Sequence, residues 1–246
     1  MRRALIVGGS NGIGLSIATL LAADESFDRI YIVDRSEIAK EFMNDKFVYE
    51  KFDLCNEDYS IFDKFIDIDT LMITAGFGSL AHFADINEQH IVDSFTVNST
   101  AVIRIIHHFY QRLQAQTPFY CGVMGSIAGF ISSPLFAVYG ATKAALKIFI
   151  ESVNVELEMT GATNRILNIS PGSIKGTSFY NGANDLNATK DLAKDILSHL
   201  WAKDDLFIPQ YDDIFKEVLS RYHDDFRKEG RHSYEYKMKS GRIKSK

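Results

Sequence analysis

Short apolar runs alternate with longer stretches of helical period along most of this 246-residue chain. Apolar runs bounded by turn-forming residues are typical of buried strands, whereas apolar residues at every third or fourth position are typical of one helix face. Strands are predicted at residues 4–7, 29–33, 46–52, 70–74, 119–124, 165–169 and 206–208. Most intervening segments have the amphipathic pattern of helices, notably residues 88–114 and 135–159.

The regular alternation of strand and helix predicts the fold class. A helix that connects two parallel strands crosses over with right-handed geometry, and successive helices then cover both faces of one sheet. We therefore expect a single α/β domain with a doubly wound parallel sheet of about seven strands. The predicted domain covers residues 1–229, and residues 230–246 form a tail rich in Lys and Arg.

Composition and charge exclude several classes of function. The net charge of −5 argues against a nucleic-acid partner, because affinity for the phosphate backbone comes from clustered Lys and Arg. No stretch reaches the roughly 20 apolar residues that span a bilayer, and the apolar run before the first glycines is too short for a signal peptide. We expect a cytoplasmic protein without a metal, in which Cys55 and Cys121 are reduced packing residues.

The first predicted strand runs directly into a glycine-rich turn, GGSNGIG, at residues 8–14, and a helical pattern follows at once. Phosphate groups approach backbone N–H groups closely where no Cβ intervenes, and the start of a helix adds a favourable dipole. Asp34 ends the second predicted strand, about 20 residues further on, where an acidic side chain binds the ribose of a dinucleotide. The pattern favours a dinucleotide site over a tight turn that binds nothing.

The glycine spacing resembles that of a known family. Gly8, Gly12 and Gly14 are similar to the Thr-Gly-x-x-x-Gly-x-Gly fingerprint of the classical short-chain dehydrogenase/reductase family, with Val7 in place of the threonine. The resemblance implies a Rossmann-type fold that binds NAD or NADP. The cofactor-binding residues that it implies are Gly8, Ser10, Asn11, Gly12, Ile13, Gly14, Asp34, Arg35, Asp53, Leu54, Ala75, Gly76, Tyr139, Lys143, Pro171, Gly172, Ile174 and Thr177.

Two departures from the family pattern concern this cofactor site. Thr74 stands where the family has the asparagine of an Asn-Ala-Gly motif, which puts the hydrogen bond that braces this strand in question. Gly176 stands where relatives usually have a threonine, and Thr177 follows one residue later. The contact with pyrophosphate from this side of the site is therefore open.

Tyr139 and Lys143 are four residues apart and share one face of a predicted helix. A nearby cation stabilises a phenolate, and so lowers a tyrosine pKa that is ordinarily about 10. By itself this pair is common on helix surfaces, but Ser126 and Asn98 complete the resemblance to the family's catalytic set. The resemblance implies that Tyr139 is the acid/base and that Ser126 donates a hydrogen bond to the substrate oxygen. It also implies a proton relay through Lys143 and Asn98.

These residues together predict an oxidoreductase that interconverts an alcohol and a carbonyl on a small-molecule substrate by hydride transfer. Two alternatives stay open from the sequence. One is a dinucleotide-binding regulatory or scaffold protein with little turnover, and the other is an enzyme that uses the same site for epimerisation or dehydration.

The choice between NAD and NADP depends on two adjacent residues of opposite charge. Asp34 is placed to accept hydrogen bonds from both ribose hydroxyls, as NAD requires, whereas Arg35 is placed to pair with the 2′-phosphate of NADP. A phosphate beside Asp34 would be repelled strongly where little water screens the charges, and an exposed arginine contributes less than that. NAD is the predicted cofactor, with NADP as the alternative.

The remaining expectations concern a partner subunit and the less regular segments. Residues 173–189 are predicted to form the substrate loop, with Phe179 and Tyr180 as its aromatic residues. The tail is expected to be solvated and mobile, or else to fold over a partner subunit or an acidic substrate. A homodimer is predicted, with a tetramer as the alternative. The apolar positions that suggest the dimer are Phe95, Ile103, Ile106, Phe109 and Ile148.

Overall fold

The computed structural model describes residues 1–56, 58–177, 184–241 and 243. The strands in these ranges are β1 (Arg2–Val7), β2 (Phe27–Asp34), β3 (Phe47–Lys51), β4 (Thr70–Ile73), β5 (Tyr120–Met124), β6 (Ile166–Ile169) and β7 (Leu206–Phe207). They form one parallel sheet in the order β3-β2-β1-β4-β5-β6-β7. The predicted α/β fold with seven strands is confirmed, and each predicted strand ends within two residues of its observed bounds.

Helices cover both faces of this sheet. The α-helices in the described ranges are α1 (Gly12–Ala23), α2 (Glu88–Phe95), α3 (Ala101–His108), α4 (Tyr110–Gln114), α5 (Ala137–Met159), α6 (Leu186–Ala202), α7 (Lys216–Asp224) and α8 (Phe226–Lys239). Short 3₁₀ turns cover Lys40–Phe42, Ser60–Phe65, Phe83–Asp85 and Ile127–Gly129, and π turns cover Thr96–Thr100 and Tyr211–Phe215.

The apolar side chains of the strands divide between two cores. Successive side chains of a strand point to opposite faces of a sheet. On β1, Leu5 and Val7 belong to the core beneath α3 and α5, whereas Ala4 and Ile6 belong to the core beneath α1 and α6. Since both faces are buried, the strand is apolar at every position from Ala4 to Val7. The strand order reverses between β1 and β4, and such a reversal opens a crevice at the carboxyl ends of the strands.

The long helix predicted over residues 88–114 is interrupted. α2 ends at Phe95, a π turn covers Thr96–Thr100, and α3 begins at Ala101. A π turn inserts an extra residue into the helical repeat and is often found at functional sites. Here it contains Asn98, whose side chain is fully buried. The interruption therefore coincides with a polar residue that the sequence analysis assigned to the site.

The chain after β7 also differs from the prediction. α7 ends at Asp224, and Asp225 caps α8 by accepting hydrogen bonds from the backbone N–H groups of Arg227 and Lys228. α8 then continues to Lys239, and Gly230 is buried within it. Most side chains of residues 231–239 are exposed, in agreement with the expected solvated tail, but these residues continue a helix in which Gly230 is buried and Lys237 is half-buried. The sequence did not indicate these two contacts, because neither residue is a large apolar one.

Three further side chains lie elsewhere than predicted. Ile106 and Phe109, expected on a dimer face, are buried in the core beneath α3. Cys55 is exposed after β3 and is not a packing residue, whereas Cys121 is buried in β5 as expected. Within the described ranges, no helix has the length and apolar character that crossing a bilayer requires.

Candidate active site

The glycine-rich turn after β1 has room for backbone only. Gly8 has a φ of 88°, and a Cβ built there would lie 2.3 Å from the backbone nitrogen of Ala75. A Cβ at Gly14 would lie 2.4 Å from both the Gly8 carbonyl oxygen and the Thr74 hydroxyl. Side chains are excluded at both positions, so α1 packs closely against the sheet. The turn is thus a cradle of bare backbone at the carboxyl edge of β1.

Thr74 supplies the bracing hydrogen bond that its departure from the family pattern had put in question. Its hydroxyl lies 2.9 Å from the Gly8 carbonyl oxygen and 3.2 Å from the Val7 carbonyl oxygen. Since Val7 ends β1 and Gly8 begins the turn, Thr74 ties the end of β4 to the cradle. Threonine is shorter than asparagine, but its hydroxyl still reaches the backbone at the end of β1.

The amino end of α1 carries the backbone donors of the cradle. Asn11 is the N-cap, and its amide donates to the Ser10 hydroxyl over 3.3 Å. The Gly12 N–H donates to Asn184 Oδ1 over 3.0 Å, and a Cβ at Gly12 would lie 3.6 Å from the Thr177 methyl group. Thr177 therefore lies beside the turn. The sequence analysis missed Asn184 because no motif marks it. Its Oδ1 lies at the amino end of α1, at the position where an anionic ligand would accept hydrogen bonds from the backbone.

Asp34 is held between the end of β2 and the glycine-rich turn. One carboxylate oxygen accepts hydrogen bonds from the Ser10 N–H over 3.1 Å and from the Ser10 hydroxyl over 2.8 Å. The other accepts from the Ser36 N–H over 3.1 Å. Arg35 is exposed next to it. The carboxylate is thus fixed in place, whereas the guanidinium lies at the solvent side.

An open cleft with a cavity volume of about 230 Å³ runs along the carboxyl edge of the sheet. Of the predicted cofactor residues, it is lined by Gly8, Asn11, Asp34, Arg35, Asp53, Leu54, Ala75 and Gly76. The bare backbone at one side and the fixed carboxylate at the other match the pyrophosphate and ribose of a dinucleotide. The residues present therefore fit such a cofactor.

Asn98 connects its helix to the loop after β4. Its Oδ1 accepts from the Phe77 N–H over 2.9 Å, and its Nδ2 donates to the Phe77 carbonyl over 2.8 Å and to the Thr142 hydroxyl over 3.2 Å. All the polar atoms of this buried amide are therefore paired. Because Thr142 precedes Lys143 on α5, Asn98 also fixes the position of α5.

Tyr139 is closely packed at the start of α5. The Phe136 ring stacks on its ring at a centroid distance of 4.3 Å, and a Cβ at Gly78 would lie 2.7 Å from Tyr139 Cδ2 and 3.0 Å from Phe136 Cε2. A side-chain hydrogen bond joins Tyr139 with Ser126. Burial raises the pKa of Tyr139 to about 12, and the Ser126 hydrogen bond opposes this effect.

Lys143 is buried one helical turn further along α5. Its ammonium donates to the Met124 carbonyl over 2.7 Å and lies 5.6 Å from the centroid of the Tyr139 ring. Burial lowers the pKa of Lys143 to about 8. The sequence analysis expected Lys143 to lower the pKa of the phenol, but in this structure loss of solvation prevails and raises it.

The turn after β6 closes the opposite side of the site. The Pro171 carbonyl accepts from the Ile127 N–H over 3.1 Å, which ties this turn to the segment that follows Ser126. A Cβ at Gly172 would lie 2.7 Å from the Phe215 ring. The Ile174 carbonyl accepts from the Thr177 hydroxyl. Residues 178–183 of the predicted substrate loop, which include Phe179 and Tyr180, lie outside the described residues.

The structure brings the four predicted catalytic residues to one edge of the sheet, around the loops that follow β4 and β5. The two aromatic residues that border the site, Phe136 and Phe215, were missed from the sequence, because stacking partners leave no motif.

Comparison with known proteins places the chain among dehydrogenases. The family model for short chain dehydrogenases matches residues 2–187. An uncharacterized oxidoreductase of Staphylococcus epidermidis is 28% identical over 191 residues, which cover 72% of this chain and 81% of that protein.

Solved structures show the same fold. A short-chain dehydrogenase from Streptomyces avermitilis has a TM-score of 0.74 at 18% identity, and the match covers 98% of this chain and 100% of that chain. A short-chain dehydrogenase from Sphingobium yanoikuyae, in complex with NADPH, has a TM-score of 0.72 at 21% identity, covering 92% and 96%.

Proposed function

The chain belongs to the short chain dehydrogenase family, and on that premise we propose that it interconverts an alcohol and a carbonyl compound with Tyr139 as its acid/base. As a member of this family it is an NAD(P)-dependent oxidoreductase. The observation that carries the proposal is the half-buried Tyr139 side chain, hydrogen-bonded with Ser126 at the carboxyl edge of the sheet and one turn from Lys143. When bound, the dinucleotide supplies or accepts the hydride.

The cradle and the fixed carboxylate hold the dinucleotide. The backbone at Gly8 and Gly12 would meet the pyrophosphate, and Asp34 would accept hydrogen bonds from the adenosine ribose. Asp53 and Leu54 line the cleft and would hold the adenine. The nicotinamide would then lie towards the Pro171 turn and Tyr139.

Tyr139 moves the proton. With a pKa of about 12 it is a neutral phenol at physiological pH, which is the form that protonates a carbonyl oxygen during reduction. Ser126 donates a hydrogen bond to the same oxygen and stabilises its developing negative charge. Oxidation of an alcohol needs the phenolate instead, and Lys143 is the cation nearby that stabilises this form.

Asn98 and Lys143 hold the backbone around the residues that carry out this proton transfer. Asn98 holds the Phe77 backbone and the start of the α5 turn that carries Lys143. Lys143 holds the end of β5 through the Met124 carbonyl, next to Ser126. We propose that both also form the relay that returns a proton to Tyr139 and that Lys143 binds the nicotinamide ribose.

NAD is the proposed cofactor, because Ser10 and Ser36 hold the Asp34 carboxylate where it would repel a 2′-phosphate. Calorimetric titration with both oxidised cofactors tests this, and NAD is expected to bind more tightly. Asp34→Ala should narrow the difference, whereas Asp45→Ala, in the exposed turn before β3, should leave it unchanged. Tighter binding of NADP to the unchanged protein would contradict the proposal.

A second copy of the chain is the proposed partner. Ile148, Val155 and Met159 are 59%, 59% and 82% exposed on α5, and Val92 and Phe95 are exposed on α2. These apolar side chains suit a homodimer in which the two helices pair with their copies. Light scattering at micromolar concentration is expected to give the mass of a dimer, and a monomer would contradict this assignment.

The function itself is tested by following absorbance at about 340 nm, where the reduced nicotinamide absorbs, over a panel of aldehydes, ketones and alcohols. Turnover of at least one carbonyl or alcohol is expected. A protein that binds the dinucleotide but turns over no compound of the panel would favour a binding role instead.

A further inference from the structure

Residues 211–239, which we name the C-terminal arm, lie beyond the part of the chain that the family model matches. The arm consists of the π turn Tyr211–Phe215, α7 and α8. Its first segment packs the Phe215 ring against Gly172, and α8 packs Gly230 near Ser132 and Pro134. The arm therefore contacts the turn after β6 and the loop that precedes Tyr139.

The arm is held together as one unit. Arg221 on α7 forms two hydrogen bonds with Glu229 on α8, over 2.8 Å and 3.3 Å, and the Glu229 carboxylate is buried. Asp225 caps the start of α8 between them. Because this ion pair joins α7 to α8, a contact that holds the end of α8 also holds α7 in place.

At the end of α8, Lys237 reaches the loop that precedes Tyr139. Its ammonium donates to the Ser133 hydroxyl over 2.6 Å and to the Pro134 carbonyl over 2.9 Å, and lies 6.0 Å from the Phe136 ring centroid. Phe136 in turn stacks on Tyr139. A continuous chain of contacts thus joins the arm to the proposed acid/base.

The loop that Lys237 contacts is strained. Leu135 has a φ of 64°, a left-handed conformation that is strained for an L-residue with a side chain. Such strain persists only when the surroundings hold it. Here Lys237 holds the Pro134 carbonyl on one side, and the Ala81 N–H donates to the Leu135 carbonyl over 2.9 Å on the other.

We infer that Lys237 is a positioning residue for Tyr139: it holds the strained loop 133–136 so that the Phe136 ring stays against the phenol. The inference rests on the role proposed above for Tyr139. Without the ammonium, Leu135 relaxes, Phe136 moves, and the Tyr139 ring loses its stacking contact. A displacement of about 1 Å at an acid/base can lower turnover as much as 100-fold. Loss of this one contact is therefore expected to lower turnover about 10-fold.

Three variants of α8 test the inference. Lys237→Met removes the donors but keeps the apolar stem, Lys237→Arg keeps donors, and Lys239→Met changes an exposed lysine of the same helix. For Lys237→Met we expect a kcat about 10-fold lower, with the dissociation constant of the dinucleotide changed less than twofold. Lys237→Arg should recover most of kcat, and Lys239→Met should match the unchanged protein. Unchanged kcat in Lys237→Met, or equal losses in Lys237→Met and Lys237→Arg, would overturn the inference.

A measurement without turnover separates this inference from the proposed function. Hydrogen exchange of the Phe136 amide, which donates to the Ser133 carbonyl, reports whether the loop is held. Exchange should be faster in Lys237→Met and in Ser133→Ala, and the double variant should be no faster than Lys237→Met alone. Unchanged exchange in Lys237→Met overturns the positioning role even if no substrate is found, whereas absent turnover in the unchanged protein speaks against the proposed function alone.

Discussion

At the amino-terminal edge of the sheet, the guanidinium of Arg2 lies 4.3 Å from the ring centroids of Phe27 and Trp201, whereas at the carboxyl-terminal edge the ammonium of Lys143 is buried beside a phenol. Arg2 also donates to Asp69 over 3.2 Å and is partly solvated. Its charge is therefore stabilised where it lies. The charge of Lys143 is destabilised by burial, as its lowered pKa shows.

Asn164 extends the contrast. This buried amide, just before β6, accepts from the Phe119 N–H over 3.0 Å and from Lys203 over 2.9 Å. Its Nδ2 lies within hydrogen-bond distance of four carbonyls between Arg112 and Thr117. One side chain thus joins β5, β6 and the end of α6 at the amino-terminal edge.

The carboxyl-terminal edge contains the opposite kinds of feature. It has glycines without room for a Cβ, a left-handed Leu135 and two buried titratable groups. Each of these costs stability. The comparison indicates that the amino-terminal edge stabilises the fold, whereas the carboxyl-terminal edge is less stable because it forms the site. Variants at the two edges should therefore separate effects on stability from effects on activity.

Among the variants that compare the two edges, Lys143→Met is expected to have the largest effect. The change removes the cation beside Tyr139, so turnover should fall on the order of 100-fold. It also removes a buried charge, so the free energy of unfolding at pH 7 should rise by about 1–2 kcal/mol. Turnover assays and urea unfolding measure the two effects. Lys147→Met, one turn further along α5, should change neither by a comparable amount, and a less stable Lys143→Met variant would contradict this reading.

The same pair of proteins predicts a pH dependence. Lys143 has a folded pKa of about 8, below its ordinary value of about 10.5. Between these values the unfolded chain binds more protons than the native one, so the native wild type gains stability as the pH rises. The advantage of Lys143→Met should therefore be greatest below pH 8 and should shrink above it. Urea unfolding at pH 7 and 9.5 tests this, and an advantage that grows with pH would have the wrong sign.

Asn164→Ala should show the next largest effect, on stability alone. It leaves the buried Phe119 N–H unpaired, so the free energy of unfolding should fall by about 2–3 kcal/mol. Dinucleotide affinity, measured by calorimetry on the folded protein, should stay within twofold. Asn187→Ala, exposed on α6, is the matched control and should change stability by less than about 0.5 kcal/mol. A large loss of dinucleotide affinity in Asn164→Ala would contradict the assignment of Asn164 to stability alone.

Arg2→Ala should have the smallest effect of the three. Loss of the ring contacts and of the hydrogen bond to Asp69 is expected to cost about 1–2 kcal/mol. For a chain of this length the melting temperature should fall by about 2–8 °C. Arg29→Ala, exposed on β2, is the control and should melt like the wild type. Equal melting temperatures of the two variants would show that the contacts of Arg2 with Phe27 and Trp201 do not stabilise the fold.

The sequence predicted the features that have a local signal. Strands follow from runs of apolar residues, and the cradle follows from Gly8, Gly12 and Gly14 directly after β1. Asn98 and Tyr139 were found through spacing and resemblance, and the structure brings them to the same edge. In each case the signal lies within a few residues of the feature it predicts.

What the sequence did not predict depends on contacts between distant segments. Lys237 and Ser133 are 104 positions apart, and nothing near either residue indicates that they meet. The direction of the Tyr139 pKa shift was missed for a related reason, because burial by loops from elsewhere in the chain outweighs the lysine one turn away. The buried position of Gly230 likewise depends on the loop that contains Pro134.

The central claim is that Tyr139 transfers the proton at the carboxyl-terminal edge, and Tyr139→Phe tests it most directly. The variant keeps the ring and deletes only the hydroxyl, so the dissociation constant of the dinucleotide should stay within twofold while kcat falls on the order of 100-fold or more. Tyr110→Phe, on α4 at the other end of the molecule, is the matched control and should retain kcat. With a substrate from the panel, a Tyr139→Phe variant that retains near wild-type kcat would contradict the account.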